Sequence, residues 1–149
     1  MHVNDLRGSI AIVGGSLILH LVKQCDALGN TEQQRMNAIN AQMRQWHTDH
    51  HTEHRMPELR IQDLRKDHWA VLNGRLVKAA SARAMLPFLH NLATTYFPGY
   101  GPFNKSVRKV FASLMEIQRT MFTSEMFLTD AVQEDVRSSN WQSLRAWCD

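Results

Sequence analysis

Residues that interrupt helices are few and clustered, and this distribution constrains the fold more than any other feature of the sequence. The 149 residues include seven glycines and four prolines, and two of each lie in the single stretch Phe97 to Phe103. This scarcity favours long helices over a turn-rich β-sandwich. Apolar residues make up 44% of the chain, enough for one core. The sequence therefore predicts one all-α domain over residues 1–149, an irregular bundle of five or six helices.

The first segment, about residues 3–28, is apolar and stops near Gly29, a residue typical of the position just after a helix. We predict a buried helix here, with a hairpin that turns at residues 14–15 as the alternative. The longest apolar run, Ser9 to Val22, is shorter than the roughly 20 residues that span a bilayer. A secretory signal is also a poor match, because Asp5 stands where basic residues belong. We expect no membrane span and an intracellular protein, nuclear or cytoplasmic.

A second helix is predicted from Thr31, which forms a capping-box pattern with Gln34, to about Met56, since the residue before Pro57 avoids the α region. Apolar and aromatic residues follow a helical seam along it: Met36, Ile39, Met43, Trp46 and His50.

The rest of the chain divides at proline and glycine. Residues 58–68 are interpreted as a short polar helix or a loop, and residues 69–97 as a third helix that Pro87 kinks or breaks in two. Residues 97–103 form the clearest loop. A fourth helix follows with Val107, Val110, Phe111, Leu114, Ile117 and Met121 on one face. A fifth helix is predicted from about residue 123, and a short final one after Asn140.

Histidines cluster between Trp46 and His54. On a continuous helix, histidines spaced by four residues point the same way and can chelate Zn²⁺. The candidate metal ligands are His47, His50, His51 and His54. The alternative is a polar, partly exposed helix end. No further ligand is evident, and no cofactor is expected unless this cluster binds zinc.

Charge is distributed unevenly along the chain. Residues 1–67 balance eight basic against eight acidic side chains, residues 68–115 carry six basic side chains and no acidic one, and residues 116–149 carry three basic and six acidic. The six cations, together with the loop aromatic Tyr100, are the candidate nucleic-acid-binding residues: Arg75, Lys78, Arg83, Lys105, Arg108 and Lys109. Cations in a first helical turn oppose the helix dipole, which a bound phosphate would relieve, and loop aromatics can stack on bases. The alternative is a solvated helix start.

Catalytic motifs are missing from the sequence. It contains no glycine-rich phosphate loop, no Gly-x-Ser-x-Gly motif and no His-Glu-x-x-His motif. We therefore expect a protein that is not an enzyme, with no catalytic residues.

Two stretches resemble a known family. The run Met1 to Gly8, with residues 15–17, and the run Leu72 to Ala80, with Arg83 and residues 87–88, are similar to the helical insertion region of DDE-type (CACTA-like) transposases of mobile elements. In that family an Asp-x-Met-His-like stretch follows the second catalytic aspartate, and a mainly helical insertion precedes the last catalytic acid. Only His2 matches a motif position here, and the catalytic acids have no counterpart. The resemblance implies a non-catalytic derivative, or a fragment of a larger protein, that contacts DNA or partner subunits.

Three hypotheses for function follow. The first is a helical binding module, which the resemblance would derive from a transposase, that contacts nucleic acid through the basic central segment. The second is a scaffold protein that assembles with protein partners or with copies of itself through the seam of residues 36–50 and the aromatic end, Trp141 to Trp147. The third is a metal-binding protein centred on the histidine cluster.

Overall fold

A computed structural model describes residues 3–53, 55–66, 69–72 and 79–123. Its helices are α1 (Val3–Gln24), α2 (Glu32–Asp49), α3 (Ala79–Tyr96) and α4 (Pro102–Thr123), with 3-10 turns at Asp26–Leu28 and Ile61–Leu64. Two-residue strands, β1 (Arg65–Lys66) and β2 (Trp69–Ala70), pair antiparallel. The predicted helical class is confirmed. Four α-helices lie in the described residues, so a count of five or six is not confirmed, and the helices expected after residue 123 lie outside those residues.

The chain divides into two compact units, Met1–Phe88 and Leu89–Asp149, and α3 contributes residues to both. The single domain over residues 1–149 stays a prediction. None of the described helices combines the length and the hydropathy that a bilayer crossing requires.

Helix α1 is continuous through the glycine pair at residues 14–15, so the helix predicted there is confirmed and the hairpin is wrong. Both glycines are buried and belong to a stripe of buried residues that recurs every three to four positions. Its apolar members are Ile10, Ala11, Leu17, Ile18, Leu21 and Val22. The pair therefore lies on the packed face of the helix, where small residues let another backbone approach.

That approaching backbone is the segment after β2. The Leu72 N–H donates to the carbonyl of Ala11 at 2.9 Å. A methyl group built on Gly15 would lie 2.7 Å from the Leu72 nitrogen and 2.7 Å from the Cα of Val71. Glycine at position 15 is thus a requirement of close packing between α1 and residues 71–72.

Arg35 joins the end of α1 to the start of α2. It is only 8% exposed, and its guanidinium donates to the carbonyls of Val22 at 3.1 Å, Lys23 at 2.8 Å and Gly29 at 2.7 Å. It also forms a salt bridge with the exposed carboxylate of Asp26. The last carbonyls of a helix have no partner within the helix, so this side chain serves as the C-terminal cap of α1.

The start of α2 follows the sequence prediction. The Gln34 N–H donates to the Thr31 hydroxyl at 3.2 Å, and the Gln34 side chain accepts from the Thr31 N–H, so the predicted capping box is confirmed. Farther along, the buried Asn40 amide donates to the carbonyl of Leu59 and accepts from its N–H, at 2.8 and 2.9 Å. This paired contact holds the chain after α2 against the helix and satisfies its buried backbone groups.

Three expectations about boundaries were wrong. Helix α2 ends at Asp49 rather than near Met56, because the chain turns at His51, which adopts φ 48°, in the left-handed region. The third helix does not start at Trp69, because Trp69 pairs with Lys66 in the short ladder, and the described part of this helix is Ala79–Tyr96. The break that was one of the two outcomes predicted at Pro87 is also wrong, since α3 continues through it to Tyr96, and the kink stays a prediction.

In the described part of the second unit, the end of α3, Phe97 in the loop and helix α4 supply the buried apolar side chains. The face predicted for α4 is buried from Val107 to Ile117, and Met121 at its end is half-buried. Among the residues of this unit that the structure describes, the buried apolar ones are Leu89, Leu92, Ala93, Phe97, Val107, Val110, Phe111, Leu114 and Ile117.

We predict that Arg35→Met lowers the free energy of unfolding by about 2–4 kcal/mol, because buried carbonyls at the end of α1 lose their donors. Arg44→Met is the matched control: Arg44 is exposed and pairs with the exposed Glu58 at 3.2 Å, a contact expected to contribute less than about 1 kcal/mol. Denaturant unfolding followed by circular dichroism measures both. Equal losses would contradict the capping role.

Alanine substitutions at two glycines of α1 should have opposite effects. Gly15→Ala forces a methyl group into the backbone of residues 71–72 and should destabilise by about 1–3 kcal/mol. Gly8 has no atom within 4 Å of the added methyl group, so Gly8→Ala should gain up to about 1 kcal/mol from helix propensity alone. Thermal unfolding of the two variants tests this, and a loss at Gly8 as large as at Gly15 would refute the packing argument.

Candidate functional site

The loop between α3 and α4 is short and held to the start of α4. Pro102 occupies the first position of the helix, where its missing N–H and fixed φ are well tolerated. The Asn104 side-chain amide donates to the carbonyl of Tyr100 at 3.1 Å, and the Lys105 N–H donates to the carbonyl of Gly101 at 3.1 Å. Gly101 has φ 80°, a conformation that glycine adopts without steric cost. The predicted loop is confirmed over residues 97–101, whereas Pro102 and Phe103 belong to α4, and the loop backbone is fixed by this helix.

Three cations lie in the first turns of α4 on the side away from its buried face. Lys105 and Lys109 are exposed and Arg108 is half-buried. Their spacing, i, i+3 and i+4, places them next to one another on the helix surface.

Arg108 also extends back to the loop. A methyl group built on Gly99 would lie 3.1 Å from one guanidinium nitrogen of Arg108, so this guanidinium lies directly beside the backbone that precedes Tyr100. The cations of α4 and the loop therefore form one surface. The glycine leaves room for the guanidinium there.

Two aromatic side chains are exposed at the start of α4 and in the loop before it. Tyr100 is 74% and Phe103 58% exposed, and among the described large apolar side chains only Ile12, in the other unit, is comparable. The Phe103 ring lies 6.0 Å from the ring of Phe97, tilted by 56°, so part of Phe103 packs on the core. We call Tyr100, Phe103, Lys105, Arg108 and Lys109 the basic–aromatic surface.

The electrostatics of this surface favour an anion. Residues 68–115 include no acidic side chain. Within the described part of the chain, no ion pair involves the three cations of the surface. The nearest acid along α4, Glu116, accepts hydrogen bonds from Arg119, which lower the pKa of its carboxyl group. The positive charge thus adds to the positive end of the helix dipole without a described counter-ion.

The other predicted nucleic-acid residues are not brought to this surface by any described contact. Arg75 and Lys78 lie outside the described residues, and for Arg83 the structure describes the backbone, in α3, but not the side chain. Four of the seven predicted residues, Tyr100 and the cations of α4, lie together; Phe103 was not among the predicted residues. Phe103 lies one residue into α4, in line with the buried face of the helix, and its ring is 58% exposed because that face begins at the end of the helix.

The histidine cluster does not lie on a continuous helix. Only His47 is within α2, His50 caps its end, and His51 lies in the turn beyond. His54 lies outside the described residues. The helical spacing on which the metal prediction rests is therefore wrong, and the described residues include no group of three potential metal ligands. Zinc binding by this cluster stays a prediction without structural support.

The contacts of His47 indicate that it stabilises the fold. The ring is buried, its Nε2 accepts from the Met56 N–H at 3.2 Å, and its Nδ1 lies 2.5 Å from the Thr52 hydroxyl. Because Nε2 accepts, the neutral ring carries its proton on Nδ1 and donates it to Thr52. Burial, with a smaller effect of the nearby charge on Arg55, lowers the pKa of His47. This residue holds the turn after α2, as Asn40 holds the segment that follows.

The seam predicted as an assembly surface is largely internal. Met36, Ile39 and Met43 are buried within the first unit. At its end, the His50 ring stacks on Trp46 with centroids 3.7 Å apart. The second predicted surface, Trp141 to Trp147, lies outside the described residues. Assembly through these faces stays a prediction.

A polar cleft in the first unit was not foreseen. Its volume is about 420 Å³, and side-chain amides line much of it. Gln33, Asn37 and Asn40 form one wall, since they fall at i, i+4 and i+7 on α2, and residues 58–62 form the other. The spacing of these amides was visible in the sequence, but the opposing wall depends on the tertiary contact between Asn40 and Leu59.

Comparison with known proteins identifies no relative. No protein-family model matches the chain, and neither a curated protein nor a solved structure shows significant similarity to it. The resemblance to transposases stays a prediction.

The environment of His47 predicts an acid-sensitive fold. Its pKa is lowered from 6.5 in the folded state, and burial lowers that of His20 in the same direction, so the unfolded chain takes up these protons first as the pH falls. The free energy of unfolding should therefore be greatest above about pH 6.5 and decrease as the pH falls toward the folded-state values.

The measurement is the difference in unfolding free energy between about pH 7.5 and about pH 5.5. His47→Gln should reduce this difference, because the unfolded chain loses one of the groups that bind protons in this interval. His51→Asn is the control: this residue is exposed at positive φ, where asparagine is tolerated, and the difference should remain that of the wild type. An unchanged difference in the His47 variant would contradict the assignment.

Proposed function

We propose that this chain is a non-catalytic helical binding module that contacts nucleic acid through its basic–aromatic surface. The observation that carries the proposal is the juxtaposition of three cations with two exposed aromatic side chains at the start of α4. Cations bind phosphates, and aromatic rings offer contact area to bases or sugars, so the combination suits a polymer that carries both.

The cost of this arrangement in the free protein supports the same proposal. Lys105 lies in the first turn of α4, and Arg108 and Lys109 follow it on the same side. A positive charge in the first turn of a helix is unfavourable by up to about 1 kcal/mol, and the three neighbouring cations repel one another. A bound phosphate removes both effects. Because this helix start contains no acidic residue that could do the same, an external polyanion is the simplest partner.

The other candidate cations extend the proposal. Arg75, Lys78 and Arg83 would enlarge the contact if the same nucleic acid reaches them, which would make binding more sensitive to salt. We propose a transposase as the evolutionary origin of this module, and we propose no transposase activity for the chain. A nuclear or cytoplasmic location would give the protein access to such a partner.

The test is binding of fluorescent DNA and RNA, followed by anisotropy over a range of salt concentrations. The wild type should lose affinity steeply as salt rises, because each neutralised phosphate releases counterions. The double variant Lys105→Glu/Arg108→Glu should bind at least about 10-fold more weakly at low salt, and its salt slope should be smaller by about 1–2.

The matched control is Arg44→Glu/Arg60→Glu, which changes the net charge equally at two exposed residues of the other unit. It should retain most of the affinity. Equal losses in both double variants would show that net charge, rather than this surface, determines binding. Absence of binding by the wild type at low salt would refute the proposed function.

A further inference from the structure

We propose that the basic–aromatic surface selects single-stranded over double-stranded nucleic acid, with the ring of Tyr100 as the platform on which one base stacks. The inference rests on the proposed function and adds the class of nucleic acid and the role of one residue. It is carried by the exposure of Tyr100 and by the contacts that hold its backbone.

The exposed fraction of Tyr100, 74%, leaves most of the ring in contact with solvent. In a duplex the faces of the bases are covered by their neighbours, so a protein ring beside a duplex meets phosphates and groove edges. In a single strand the base faces can separate and stack on an aromatic side chain. An exposed ring next to cations therefore discriminates between the two forms of nucleic acid.

The backbone that carries this ring is held in place before any ligand binds. The Tyr100 carbonyl accepts from Asn104 at 3.1 Å, and the guanidinium of Arg108 lies beside Gly99. Pro98 and Pro102 fix φ on both sides of the loop. Because the loop is already ordered, stacking requires little loss of conformational entropy, which raises the affinity that one ring can provide.

The neighbouring side chains would supply the rest of the contact with the strand. Arg108 lies beside the residue that precedes Tyr100, and Lys105 and Lys109 lie on the same side of α4, so phosphates adjoining the stacked base have cations within a short distance. Phe103, packed in part on Phe97, adds a second exposed apolar contact next to the loop. The surface is small, which fits a segment of a few nucleotides rather than a long groove.

The test compares Tyr100→Ala and Tyr100→Phe with the wild type, using a short labelled single strand, a duplex of the same length, and heparin as a polyanion without bases. The wild type should prefer the single strand. Tyr100→Ala should lose roughly 5- to 100-fold in affinity for it, and Tyr100→Phe should retain wild-type binding. Affinity for heparin should be unchanged in both variants, because no base stacks in that complex. Circular dichroism checks that both variants are folded.

The outcomes separate this inference from the proposed function. If wild type and Tyr100→Ala bind single strand and duplex equally well, with steep salt dependence, the stacking role is refuted and nucleic-acid binding by the cations remains. If Tyr100→Ala weakens heparin binding as much as single-strand binding, the ring supports the surface rather than a base, and the inference is again overturned. If the wild type binds none of the three, both proposals fail.

Discussion

The guanidinium of Arg35 is the contact on which the first unit depends. It comes from α2 but satisfies carbonyl groups at the end of α1 and at Gly29, so one side chain sets where the first helix ends and how the chain enters the second. The charge is nearly buried, and its partners are three backbone dipoles and the exposed carboxylate of Asp26. A lysine could not replace it, since the contacts need several donors in a planar, forked arrangement.

The same principle recurs along α2. Arg35, Asn40 and His47 are the buried polar side chains of the described residues, and each binds backbone groups of a segment outside the helix. The second helix therefore organises irregular chain on both sides of it through polar contacts as well as apolar packing. In the first unit these side chains are used internally. In the second unit, by contrast, the residues of the basic–aromatic surface are exposed or half-exposed, and this difference supports the proposal that a partner binds there.

Local signals predicted some features well and others poorly. The capping box at Thr31 and Gln34 and the buried face of α4 depend on contacts within a few residues, so pattern alone identified them. The strand that includes Trp69 pairs with residues 65–66, and the Leu72 N–H that follows it donates to a carbonyl of α1. Helical periodicity in the sequence reveals neither contact. In the site, Tyr100 and the cations of α4 were predictable because they are neighbours in sequence. The role of His47 was not predictable, because it depends on a hydrogen bond from the Met56 N–H, nine residues farther along the chain.

The sequence by itself determined the helical class, the start of α2, the loop after α3 and the amphipathic form of α4, because spacing, capping residues and proline act over a few residues. Only the tertiary structure decided that Gly15 marks a close backbone contact, that α2 ends at Asp49, and that a histidine in a metal-like cluster is a buried structural residue. Each of these depends on a partner far along the chain. Such a contact becomes favourable only after apolar burial has brought the segments together, and no local pattern records it.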